Sequence, residues 1–158
     1  MELVSESVND TLKIGKAIAK NLQNGDIICL VGELGSGKTV LTKGIAWGLG
    51  IRRSAIISPS FVLIRQYPQA KLPLYHLDLY RLRTEKDILA LGYEDYLYDT
   101  AVTVIEWADR LSYLLPKEYL KIELFIKANS QRLIKFSARG IHYKELLRPL
   151  KKIARDHR

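Results

Sequence analysis

The chain has 158 residues, of which 47% are hydrophobic and 27% are charged, a balance typical of one soluble globular domain spanning residues 1–158. Its single cysteine excludes an internal disulfide framework and a zinc site built from cysteines, so we expect a reducing, cytoplasmic location. No apolar run approaches the roughly 18 residues of a membrane helix, and the N-terminus lacks the pattern of a signal peptide.

The formal charge of the chain is +8, and the basic excess lies toward the C-terminus. Residues 101–158 hold 13 of the 25 basic side chains but only 6 of the 17 acidic ones. Such a segment can face nucleic acid or an acidic partner, or it can be an ordinary solvated surface. Aromatic and basic residues do not interleave there as in an RNA-stacking surface, and both interpretations stay open.

The first third of the chain predicts a helix, a strand and a second helix. Two segments have helical spacing, and a nearly continuous apolar run between them is typical of a buried parallel strand. In chain order, these elements are residues 9–22, 26–31 and 38–49. Either Asn9 or Ser7 is suited to cap the first helix, and Gly50 ends the second.

The remainder predicts mostly strands. The β segments are residues 61–67, 74–80, 101–105, 120–126 and 133–138, with a helix at 84–91 that Thr84 caps. The last two strands flank Asn129-Ser130, which predicts an antiparallel hairpin. From Ile141 an apolar stripe extends to Ile153 and Ala154, and Pro149 should kink or break that helix. The pattern predicts an α/β fold with a mixed sheet, a parallel core and antiparallel C-terminal strands.

A phosphate-binding loop follows the first buried strand. Residues 32–39 match G-x-x-x-x-G-K-[ST] at every position, and they are Gly32, Glu33, Leu34, Gly35, Ser36, Gly37, Lys38 and Thr39. The glycines let backbone N–H groups turn toward phosphate oxygens, Lys38 brings a cation to the β/γ-phosphates, and the Thr39 hydroxyl can ligate Mg²⁺. The strand before the loop and the helix after it are the setting that this chemistry needs. We therefore expect a three-layer P-loop NTPase fold. The expected ligand is Mg·ATP instead of Mg·GTP, because the guanine-reading string N-K-x-D does not occur.

Two carboxylates stand at the ends of predicted strands. Glu106 directly follows an apolar strand, and Asp78 ends an alternating one. An acid in this position handles the metal in phosphate-loop enzymes, and a surface acid or a helix cap is the alternative.

Other polar residues nearby are less specific. We expect His76 to be a packed or hydrogen-bonded histidine and Cys29 to be a small core residue. Ser58-Pro59-Ser60 fits either an ordinary turn or a switch segment that contacts the γ-phosphate or Mg²⁺.

Four blocks of the sequence together resemble the TsaE family, small bacterial ATPases required for making threonylcarbamoyladenosine in transfer RNA. The blocks are residues 32–39, 58–67, 76–82 with 91–96, and 105–107. His-Leu-Asp-Leu-Tyr-Arg-Leu with a downstream Ile-Glu-Trp is more specific than the phosphate loop. The resemblance covers about residues 26–110.

This resemblance implies a role for each matching residue. Lys38 and the loop amides would hold the phosphates, Thr39 and Glu106 would hold Mg²⁺, and Asp78 would assist hydrolysis or sense the γ-phosphate. The further nucleotide-binding residues expected are Val40, Ser58, Ser60, Trp107 and Arg132. Adenine contacts in the family come from the start of the first helix and the late hairpin, which here are residues 7–11 and 131–132.

The resemblance also implies partners. Family members are accessory ATPases that reset a complex of two other proteins, TsaD and TsaB, and the basic second half would face partner protein or transfer RNA. Two other functions remain, a small-metabolite kinase and an ATP-switched RNA-binding module. A kinase usually has a mobile lid bearing arginines, whereas this chain has no glycine between Gly92 and Gly140 and no arginine between Arg83 and Arg110.

Overall fold

Seven strands form one mixed sheet in the computed structural model, which describes residues 1–98, 100–128 and 130–150. The strands are β1 (Glu2–Ser5), β2 (Ile27–Val31), β3 (Ile64–Tyr67), β4 (Leu74–Asp78), β5 (Val102–Glu106), β6 (Tyr119–Ile126) and β7 (Arg132–Arg139). Their order is β1-β7-β6-β2-β5-β4-β3. β6, β2, β5 and β4 run parallel, whereas β1, β7 and β3 are antiparallel to their neighbours. The predicted α/β fold with a parallel core and antiparallel C-terminal strands is confirmed.

Helices cover both faces of this sheet. They are α1 (Val8–Ala19), α2 (Lys38–Gly48), α3 (Glu85–Ala90) and α4 (Ile141–Leu146). Successive side chains of β2 point to opposite faces, so Ile28 packs in the core under α1 and α2, and Cys29 packs in the core under α3. None of the helices in the described residues combines the length and the apolar character needed to cross a membrane.

The N-terminal edge strand β1 has no counterpart among the predicted elements. It alternates, with Leu3 and Ser5 buried, and pairs antiparallel with β7. Four residues are too short for a periodic signal, and the pairing depends on a partner strand more than 125 residues away.

Several element boundaries differ from the predictions. β3 begins at Ile64 instead of residue 61 because Leu63 has a left-handed φ of 68°, which interrupts an extended chain. α1 ends at Ala19 instead of residue 22 because the next two residues form tight turns, and Leu22 N donates to the carbonyl oxygen of Ala19. Ser7, not Asn9, caps this helix and accepts a hydrogen bond from Asp10 N at 3.2 Å.

The predicted C-terminal hairpin is present, and its first strand has a second partner. β6 pairs antiparallel with β7 and also parallel with β2, which joins the hairpin to the centre of the sheet. α4 ends at Leu146, shortly before Pro149, as its sequence predicts. Asn129 of the predicted turn and the predicted helical positions Ile153 and Ala154 lie outside the described residues.

Candidate functional site

The loop between β2 and α2 needs glycine at two positions for different reasons. Gly37 has a φ of 104° at the start of α2, a left-handed conformation that other residues rarely adopt. At Gly32, with a φ of 153°, an added Cβ would stand 2.5 Å from the carbonyl oxygen of Leu124 and 2.6 Å from Ser36 Oγ. The backbone therefore takes this tight path because both side chains are absent.

Lys38 lies inside the loop and is only 5% exposed. Its Nζ donates hydrogen bonds to the carbonyl oxygens of Gly32 at 2.6 Å and Glu33 at 2.9 Å, and it lies 3.9 Å from the ring centroid of Trp107. Burial lowers the pKa of Lys38, although the carboxylates of Glu106 and Asp78 act in the opposite direction. The ammonium group is held by neutral carbonyl oxygens of the loop, which phosphate oxygens could replace.

Glu106 stands at the end of β5 and accepts hydrogen bonds at both carboxylate oxygens. Thr39 Oγ1 donates to Oε2 at 2.9 Å, whereas Thr42 Oγ1 and His76 Nε2 contact Oε1 at 3.1 and 2.8 Å. The carboxylate is 2% exposed, and His76 is fully buried. His76 is thus a hydrogen-bonded core histidine, as predicted, and its partner is Glu106.

Asp78 is held differently, although its Cα is paired with that of Glu106 in the neighbouring strand. Its Oδ2 accepts from Ser58 Oγ at 2.9 Å and from Ser60 Oγ at 2.6 Å, and its Oδ1 accepts from the backbone N–H of Tyr80 at 3.0 Å. The Ser58-Pro59-Ser60 segment is therefore tied to the end of β4.

Trp107 follows Glu106 with a left-handed φ of 59°, which is uncommon for a residue with a bulky side chain. This conformation ends β5 and brings the indole beside Lys38, where the Tyr80 ring packs against it at 5.1 Å between centroids. Backbone strain of this kind concentrates at functional sites.

A cavity of about 430 Å³ opens where these elements meet. Its lining comes from the phosphate loop, the serine segment and the ends of β4 and β5: Leu34, Gly35, Gly37, Lys38, Thr39, Val40, Ser58, Ser60, Phe61, Asp78, Tyr80, Arg81, Glu106 and Trp107. Eleven of the predicted site residues are among them, and Gly32, Glu33 and Ser36 belong to the same loop without lining the cavity.

Arg132 bonds the phosphate loop, whereas the start of α1 lines a different cleft. Arg132 Nε donates to the carbonyl oxygen of Ser36 at 3.1 Å and its Nη2 to that of Gly35 at 3.2 Å, so the hairpin holds the outer side of the loop. Of residues 7–11, Val8 lines a separate cleft of about 880 Å³ that shares only Val40 with the first cavity.

Four residues of the site were not predicted: Thr42, Phe61, Tyr80 and Arg81. Thr42 lies one helical turn after Lys38, and the i, i+4 spacing on α2 could have indicated it. Phe61 is 82% exposed and stacks under the Arg81 guanidinium at 4.1 Å. Its partner is distant in the sequence, and no local pattern indicates that contact.

The oxygen atoms of Thr39 and Glu106 fit a magnesium ion that arrives with a nucleotide. Mg²⁺ prefers oxygen ligands and is usually held by one or two protein groups together with substrate phosphates and water. The described residues contain no cluster of three or more His, Cys, Asp or Glu that could hold a metal without a substrate. The donor set therefore suits Mg²⁺ held together with substrate phosphates.

Part of the basic excess of the second half is used within the fold. Lys121 pairs with Glu123 at 2.8 Å, Lys135 pairs with Glu2 at 3.1 Å, and Arg132 bonds the phosphate loop. These contacts explain three of the basic side chains without an external ligand.

Comparison with known proteins gives one family. The family model for the threonylcarbamoyl adenosine biosynthesis protein TsaE matches residues 5–134. A protein of that name from Bacillus subtilis is 40% identical over 141 residues, 89% of this chain and 87% of its own. One from Treponema pallidum is 40% identical over 132 residues, 84% of this chain and 96% of its own. The crystal structure of Bacillus subtilis YdiB superposes with a TM-score of 0.83 at 34% identity, covering 97% and 95% of the two chains. The chain belongs to the TsaE family of transfer RNA threonylcarbamoyladenosine biosynthesis proteins.

Proposed function

We propose that the protein is a Mg-dependent ATPase that acts as a cytoplasmic accessory factor of this modification and uses ATP hydrolysis to reset a TsaD–TsaB complex. The observation that carries the proposal is the Thr39–Glu106 hydrogen bond of 2.9 Å beside Lys38. A hydroxyl and a carboxylate meet at the mouth of a phosphate loop, which is where a P-loop NTPase holds its metal.

Each polar group has a distinct part in this proposal. Lys38 would exchange its two carbonyl partners for phosphate oxygens, and the N–H groups at the start of α2 would face the same phosphates. Thr39 and Glu106 would hold Mg²⁺, which would neutralise charge on the phosphates when bound. Asp78, held by Ser58 and Ser60, would link the state of the γ-phosphate to the serine segment.

Exposed apolar side chains around the rim of the cavity favour the binding of a partner protein. Leu34 is 71% exposed, Phe61 82% and Val62 55%, and Leu34 and Phe61 line the nucleotide cavity. A partner that covered this rim would exclude water from the site and make turnover depend on the complex. This arrangement is consistent with slow hydrolysis by the protein alone.

The test is phosphate release from ATP by the purified protein, alone and with the TsaD–TsaB pair, with Lys38→Ala as the blank. We expect release to be stimulated by the pair and to be absent in the blank. Labelled phosphate on a small molecule would instead support the kinase function. Salt-dependent RNA affinity without partners, and no stimulated release, would support the RNA-binding module.

A further inference from the structure

The two oxygens of the Glu106 carboxylate have different surroundings. Oε1 contacts Thr42 and His76, which are both fully buried, whereas Oε2 contacts Thr39, which lines the nucleotide cavity. One oxygen is therefore held from inside the protein, and the other faces the cavity.

Within the part of the chain that the structure describes, the contact with Glu106 is the one hydrogen bond of the His76 ring. An ionised carboxylate only accepts hydrogen bonds, so Nε2 carries the proton of the 2.8 Å contact. Nδ1 is buried and has no hydrogen-bond partner among the described residues. Leaving a buried polar atom unpaired destabilises the folded state. An apolar side chain would fill this core position without that cost, so packing alone does not explain a histidine.

Thr42 supports the same oxygen from another direction. The single hydroxyl proton of Thr42 is shared between two acceptors, Glu106 Oε1 at 3.1 Å and the carbonyl oxygen of Lys38 at 3.0 Å, which fixes the hydroxyl on α2. His76 comes from β4, so donors from a helix and a strand meet at one oxygen atom. Two donors from separate elements restrain both the position and the rotation of the carboxylate.

We propose that His76 and Thr42 are positioning residues that hold Glu106 Oε1 so that Oε2 is presented to Mg²⁺. The inference rests on the proposed function, because it assigns a purpose to these residues only if the cavity takes Mg·ATP. Mg²⁺ demands near-ideal octahedral geometry, so a carboxylate that can rotate is a poorer ligand. Groups that orient a metal ligand typically contribute about 10–100-fold to metal affinity.

The experiment measures binding of fluorescent N-methylanthraniloyl-ATP as a function of Mg²⁺ concentration, and also in EDTA. His76→Leu removes the donor, whereas His76→Gln retains an N–H near the position of Nε2. Thr42→Val and Thr42→Ser form the second matched pair. His142→Leu is the control, because His142 also contacts a buried carboxylate, Asp26 Oδ1 at 2.7 Å, but at the opposite end of β2.

We expect the half-saturating Mg²⁺ concentration to rise about 10-fold or more in His76→Leu and Thr42→Val, with nucleotide affinity in EDTA unchanged. His76→Gln, Thr42→Ser and the control should resemble the wild type. If His76→Leu does not fold, as judged by circular dichroism, Thr42→Val and Thr42→Ser decide the question.

Two results would overturn the inference alone. One is a wild-type Mg²⁺ response in the donor-free variants, and the other is an equal loss of affinity with Mg²⁺ and with EDTA, which a merely structural role would produce. A wild-type protein whose nucleotide affinity does not respond to Mg²⁺ would instead overturn the proposed function and this inference with it.

Discussion

The Thr39 hydroxyl donates a 2.9 Å hydrogen bond to Glu106 Oε2, which joins the first turn of α2 to the end of β5 across 67 positions of the sequence. The two side chains meet at one edge of the sheet because β2, which leads into α2, pairs in parallel with β5. Parallel strands bring their carboxyl ends to the same edge, and the loop that follows β2 therefore meets the acid that ends β5.

Glu106→Gln should weaken Mg²⁺ binding and so reduce ATP hydrolysis at limiting Mg²⁺, while leaving the fold intact. Glutamine has the same shape and retains an acceptor for the buried donors, but it lacks the negative charge that attracts the metal. We expect phosphate release at limiting Mg²⁺ to fall by at least about 10-fold, the smaller loss seen for groups that only orient a metal ligand. Asp109→Asn, which changes an exposed acid near Lys38, is the control. Wild-type turnover in Glu106→Gln would move the metal assignment to Asp78.

Lys38→Ala should abolish productive ATP binding without unfolding the protein. Its Nζ bonds loop carbonyl oxygens and faces the Trp107 ring, and Lys38 belongs to neither hydrophobic core cluster, so its removal should leave the core in place. Truncating one partner of a buried charge pair costs about 2–5 kcal/mol of binding free energy. Titration calorimetry with ATP and thermal melting without ATP measure the two quantities. An ATP affinity equal to that of the wild type would contradict the phosphate-loop assignment.

Gly32→Ala should destabilise the protein more than Gly35→Ala does. Both glycines have positive φ, 153° and 77°, so both variants carry backbone strain. A Cβ at Gly32 would also meet Leu124 O at 2.5 Å, whereas one at Gly35 meets no atom within 4 Å. We expect Gly35→Ala to cost about 1–2 kcal/mol and Gly32→Ala about 1–3 kcal/mol more. Urea unfolding at equilibrium compares the two variants. Equal losses in the free energy of unfolding would contradict the prediction, because they would show that Leu124 moves aside at no energetic cost.

Asp26→Asn should flatten the pH dependence of stability in mildly acidic solution. Burial raises the pKa of Asp26 above its ordinary value of 3.8, although the Gln23 N–H and His142 act against this shift. Between 3.8 and the raised value, the folded state binds more protons at this group than the unfolded state does. Its contribution to the free energy of unfolding therefore falls as the pH rises through that window.

Urea unfolding at a series of pH values checks this expectation. Asp95→Asn is the matched control, because Asp95 is an exposed carboxylate. The wild type and the control should lose stability across the window, relative to Asp26→Asn. A parallel pH dependence in all three proteins would contradict the assigned shift.

Local sequence patterns predicted the parts of the site that lie close together in the chain. The phosphate loop is one contiguous segment, and its glycines, Lys38 and Thr39 act through their own backbone and the adjacent helix. The acids at the ends of β4 and β5 were recognisable because a buried strand that stops at a carboxylate is unusual. The capping box of Thr84 and Asp87 is likewise a local feature.

Local sequence patterns did not predict the contacts between distant segments. Nothing near His76 in the sequence indicates that its ring contacts Glu106 and not Asp78, and nothing near Arg132 indicates that it bonds the phosphate loop. The edge strand β1 can be identified only from its pairing with β7.

The sequence by itself determined that this chain has a phosphate loop, an α/β fold and two acids at strand ends, because helical and strand periodicity and tight turns are encoded by neighbouring residues. Only the tertiary structure decided which donors meet at each carboxylate: Thr39, Thr42 and His76 at Glu106, and Ser58 and Ser60 at Asp78. The physical reason is that strand order and register bring these atoms within hydrogen-bond distance, and both depend on how the whole sheet packs against its helices.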